Sequence, residues 1–80
     1  MQRDPALQES FGTVLRQLRV EKELSQEDLA LEAGLDRTFI SMLERGLRQP
    51  TLSSLFAIAE ALRIPASRIV RLTEKAITGT

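Results

Sequence analysis

Arg37, Thr38, Ser41 and Met42 follow Asp36 at spacings that place them together on one face of a helix, opposite Ile40 and Leu43. Their chemistry is recognition. An arginine fork can bind guanine N7 and O6 through two hydrogen bonds, threonine and serine offer hydroxyls, and the threonine methyl and methionine can meet a thymine methyl. Gln26, at the start of the preceding helical segment, could bind a phosphate through its amide and the segment's free N–H groups. Arg45 and Arg48 flank Gly46, where cations suit a helix C-terminus and could also reach a phosphate backbone. Gln49 and Thr51 are further candidates for backbone contacts.

Bond-making chemistry has little to work with. The chain has no Cys and no His, which removes thiol nucleophiles, imidazole bases, disulfides and the usual zinc ligands. Its glycines form neither a P-loop nor a dinucleotide fingerprint, so no enzyme activity, cofactor or metal is expected. Three Phe with no Trp or Tyr argue against a single-strand stacking platform. No long apolar run or leader is evident, so no membrane association is expected and the cytoplasm is the expected compartment.

The formal net charge is zero, yet it is unevenly distributed. Residues 1–34 sum to −3, whereas residues 35–71, with six arginines, sum to +3. A neutral total thus conceals a basic half able to form a binding face for polyanions.

The elements that must position these residues are helical. No segment alternates for strand length, whereas apolar residues recur at helical spacing, so the fold class is all-α with five helices. Eighty residues make one domain, of a size for which burial against a second copy would add stability. Phe11, Val14, Leu15 and Leu18 predict a first helix over about 10–22 capped by Ser10, with residues 1–9 flexible. Ser25 caps a second helix ending at Gly34, and Asp36 caps a third ending at Gly46. Pro50 and Thr51 open a fourth, with Leu52, Leu55, Ile58, Ala59 and Leu62 expected inward. A fifth follows Pro65, capped by Ser67 if it starts late; the domain is expected over 10–73 with a tail over 74–80.

The string Leu24-Ser25-Gln26-Glu27-Asp28-Leu29-Ala30, then Ala33-Gly34-Leu35, Ile40-Ser41, Leu43-Glu44-Arg45-Gly46 and Pro50-Thr51-Leu52 resembles the Cro/cI-type (XRE) helix-turn-helix family. Residues 35–41 and the short chain look most like the controller proteins of restriction-modification systems. The resemblance implies a lambda-repressor-like domain that binds double-stranded DNA and regulates transcription. In such a motif the second helix crosses the DNA backbone and the third lies in the major groove. The alternative is an interaction module of the same fold, such as an antitoxin or regulator subunit.

The resemblance further implies an internal ion pair between Arg19 and Glu44, and a homodimer paired through Ile64, Arg68 and Val70. Twofold symmetry predicts an inverted-repeat operator. An activator would also contact RNA polymerase, although no patch in the sequence identifies itself as that surface. Phe39 replaces a Tyr often found in controller proteins, and a packing role is expected for it. Glu23 stands where the family commonly has Gly, at a cost if the backbone there has positive φ.

Overall fold

The computed structural model describes residues 4–79, and its five helices are α1 (Pro5–Glu21), α2 (Gln26–Ala33), α3 (Arg37–Glu44), α4 (Leu52–Leu62) and α5 (Ala66–Thr78). No strand is present among the described residues. The α1 helix packs against α3 and α5, α2 against α3 and α4, and α4 against α5. Leu15, Leu29, Ile40, Leu43, Ile58, Leu62 and Ile69, drawn from all five helices, are fully buried together.

The N-termini explain where the helices begin. Asp4 caps α1 through a bond from the Leu7 amide, with Pro5 in the first turn, where its missing N–H costs nothing. The helix therefore starts at Pro5 and not at Ser10, so the expected flexible segment is helical from residue 5; its first three residues lie outside the described residues. Ser25 and Asp28 form a reciprocal capping box on α2, as do Thr51 and Ser54 on α4. Asp36 accepts from the Thr38 amide at 3.2 Å and caps α3.

The C-termini follow one rule. Residues 23, 34, 46 and 63 all have left-handed φ, between 58° and 74°. The residue after each donates its N–H to the carbonyl five positions back: Leu24 to Arg19, Leu35 to Ala30, Leu47 to Met42 and Ile64 to Ala59. This is the Schellman arrangement, with an apolar residue following the left-handed one. Leu24, Leu35 and Ile64 use that place to pack on the core, whereas Leu47 stays exposed.

Glu23 and Arg63 hold this left-handed conformation without being glycine. Glu23→Gly is therefore expected to raise stability by up to about 1 kcal/mol, the relieved strain being partly offset by a more flexible unfolded chain. Chemical denaturation would show the midpoint rising with the slope unchanged. An unchanged or lower midpoint would mean that Glu23 is unstrained.

Three expectations at α4 and α5 are corrected. Leu52 is 71% exposed because it is the first residue of α4, ahead of the turn that meets the core. Pro65 itself precedes α5 without a side-chain cap, so the helix begins at Ala66 and Ser67 lies inside it. The α5 helix also runs on to Thr78, with Gly79 as its left-handed cap, so the expected tail is helical as far as Thr78, and only Thr80 lies outside the described residues. Thr73 is buried and donates its hydroxyl to the Ile69 carbonyl at 2.8 Å, allowing a polar side chain on the inward face.

Candidate nucleic-acid interface

The α3 helix has two unlike sides. Ile40 and Leu43 are fully buried, whereas Arg37 and Thr38 are exposed and Ser41 and Met42 are half-buried. The four expected reading residues are thus away from the core-facing stripe, and the first two, on the N-terminal turn, are the most open. The turn between α2 and α3 is only Gly34–Asp36, and its left-handed glycine lets the chain reverse direction there.

The opposite end of α3 is anchored by charge. Arg19 Nε donates to Glu44 Oε2 at 2.6 Å and its Nη2 donates to Oε1 at 3.0 Å, a bidentate pair joining α1 to α3. The Glu44 side chain is 3% exposed and that of Arg19 12%. Arg19 Nη1 also donates to the Leu24 carbonyl at 2.8 Å, tying the pair to the Schellman turn after α1. The hydrogen bond with Glu44 raises the Arg19 pKa above its ordinary value, burial opposes it, and the Glu44 charge adds to the rise.

Gln26 belongs to the same cluster, a link that sequence reasoning missed. Its amide donates to Glu44 Oε1 at 3.0 Å, so the first residue of α2, α1 and the end of α3 meet at one carboxylate. An amide nitrogen carries two hydrogens, and this bond uses one. Gln26 therefore has a structural task beside any phosphate contact.

A close backbone approach reinforces the anchor. A Cβ on Gly12 would lie 2.4 Å from the Leu43 carbonyl oxygen and 2.7 Å from that of Glu44. Only glycine lets α1 lie this close to α3. Nothing local to residue 12 signals this, because the requirement comes from a helix some thirty positions along the chain.

Arg45 and Arg48 are both exposed beyond α3, either side of the left-handed Gly46. The Arg48 guanidinium stands over the Phe39 ring, 5.4 Å from its centroid. Phe39 is partly buried against the core, in keeping with its expected packing role. Gln49 is half-buried and helps to wall an apolar groove with Leu7, Phe11 and Val70. Thr51 is exposed, but its hydroxyl accepts the Ser54 amide at 3.0 Å and its own amide donates to Ser54 Oγ at 2.9 Å. Both groups serve the α4 cap.

The three expected dimer residues separate. Arg68 is exposed and Val70 is 51% exposed, whereas Ile64 is partly buried against its own core. Val70 shares a shallow apolar surface with Leu52 and with Phe56, itself 59% exposed, bordered by Arg71 and Glu74. Sequence reasoning placed Leu52 inside and passed over Phe56, so it missed that these three side chains adjoin. No group of metal-binding side chains, and no helix long and apolar enough to cross a membrane, occurs among the described residues.

Comparison with known proteins matches residues 15–69 to the family described as Helix-turn-helix, HTH_3. The chain is 36% identical over 69 residues to an uncharacterized HTH-type transcriptional regulator, y4dJ, of Sinorhizobium fredii, covering 86% of this chain and 90% of that one. It is 41% identical over 64 residues to the control protein C.BamHI of Bacillus amyloliquefaciens, with 79% of each covered. The crystal structure of the restriction-modification controller protein C.AhdI from Aeromonas hydrophila superposes with a TM-score of 0.76 at 42% identity, over 78% of this chain and 94% of that chain. The controller protein C.Esp1396I, crystallised as a tetramer with its natural 35 base-pair operator, gives 0.81 at 36% identity, over 90% and 95%.

Proposed function

The chain belongs to the helix-turn-helix family, and from that premise we propose that it is a sequence-specific transcriptional regulator that binds double-stranded DNA as a homodimer. It is of the kind that controls restriction-modification systems. The observation that carries this reading is the two-sided α3, whose exposed N-terminal turn opposes a fully buried stripe and an anchored carboxylate. A helix held so firmly on one side can enter a major groove with the other.

In this reading Arg37, Thr38, Ser41 and Met42 contact base edges, and Gln26, Arg45 and Arg48 hold phosphates. Gln49 and Thr51 are the weaker backbone candidates, since Thr51 already serves its cap. The surface of Leu52, Phe56 and Val70, with Arg68 beside it in sequence, is the proposed face for a second copy. Twofold pairing would set two α3 helices about 34 Å apart, one DNA turn, on an inverted repeat. If the regulator activates, it must also touch RNA polymerase.

Selecting bound duplexes from a random pool and sequencing them tests the reading directly. A palindromic consensus is the expected result, and failure to enrich any sequence would refute it. Against the selected duplex, Arg37→Ala should cost about 1 to 3 kcal/mol and relax preference at one position in each half-site. A titration curve that does not move would exclude Arg37 from base reading.

A further inference from the structure

Arg48 lies outside any helix, four residues past the end of α3, and its side chain is exposed. The ion pair found among the described residues joins Arg19 to Glu44, and the contact recorded for the Arg48 side chain is the face of Phe39. We propose that the Phe39 ring is a platform that holds the Arg48 guanidinium beside the exposed turn of α3, making Phe39 a positioning residue for DNA recognition as well as a packing one. The proposal rests on the DNA-binding reading above.

Phe39 is suited to this by its place. It follows Thr38 on the first turn of α3 and is only partly buried, so it can pack on the core and still present a surface to the loop. The separation of 5.4 Å is within the range where a cation is attracted by the negative face of an aromatic ring. That attraction consumes none of the five guanidinium donors, which stay available for a phosphate or a guanine edge. The loop is also constrained from the other side: Leu47, next to Arg48, donates its amide to the Met42 carbonyl at 2.9 Å. An arginine whose side chain is held and whose neighbour's backbone is bonded loses less freedom on binding than one on an open loop. A leucine at position 39 would fill much of the same space with no such attraction.

The test is a double-mutant cycle on the full chain, titrating the selected duplex with wild type, Phe39→Leu, Arg48→Ala and the double variant. Phe39→Leu should weaken wild-type binding about two- to five-fold. It should have no further effect once Arg48 is alanine. Phe39→Tyr, which keeps the ring, should bind as wild type does. Equal weakening by Phe39→Leu in both backgrounds, or loss of affinity in Phe39→Tyr matching that in Phe39→Leu, would overturn the platform while leaving DNA binding intact. If wild type binds no duplex, the functional reading fails and the platform with it. Far-ultraviolet circular dichroism monitors folding, and Phe39→Met takes the place of Phe39→Leu in the cycle if the latter loses helicity.

Discussion

Glu44→Ala is expected to destabilise the protein by up to about 3 to 5 kcal/mol, because it leaves the part-buried Arg19 guanidinium without its carboxylate. Three hydrogen bonds end on the two Glu44 oxygens, and all three donors would lose their partner together. Since a domain of this size has about 0.05 to 0.15 kcal/mol of stability per residue, a loss of that size would remove about a quarter or more of the total. Urea denaturation at low temperature would measure it. A loss under about 1 kcal/mol would place this pair among ordinary surface bridges. Replacing both charges by apolar residues of similar size should recover much of the loss, since the penalty lies in the stranded charge. The sign of the pH response follows from the raised Arg19 pKa. Its contribution is fully present below the unfolded value and is lost only as pH rises through the still higher folded value, so it stays constant at ordinary assay pH.

Gly12→Ala is the second large effect, and its sign separates two explanations. In an open helix the change should stabilise by about 0.8 to 1 kcal/mol, alanine being the better helix former. Here the new methyl would meet two backbone oxygens of α3 well inside contact distance, and backbone cannot swing aside as a flexible side chain can. The helices must separate, which is expected to cost about 1 to 3 kcal/mol net. Thermal unfolding decides the matter: a variant at least as stable as wild type would mean that the α1–α3 contact is loose. Operator affinity should fall as well, because α3 is the element displaced.

The middle of the chain was legible because its signals are local. Ser25, Gly34, Asp36 and Thr51 each act within a few residues of themselves, and each is found where cap chemistry puts it. The start of α1 was misread although Asp4-Pro5 carried a cap and first-turn proline signal; Ser10, nearer the apolar stripe, drew the boundary. At Leu52 the spacing matched the inward stripe, but the first residue of a helix can precede the point where it meets the core. Gly12 and the Gln26–Glu44 bond were not readable, since each depends on segments that meet only in the folded chain. The Arg19–Glu44 pair came from the family resemblance and is present as expected.

In the proposed reading the seat and the reader of α3 fall on largely different residues of the same eight-residue helix, with Phe39 serving both. Ile40, Leu43 and Glu44 fasten it, while Arg37, Thr38, Ser41 and Met42 take little part in the core. On that reading, target choice and foldability are largely separable traits in this scaffold. On the proposed reading, exchanging those four side chains would graft a new operator preference, and a lineage could drift from one DNA site to another without first surviving an unfolded intermediate.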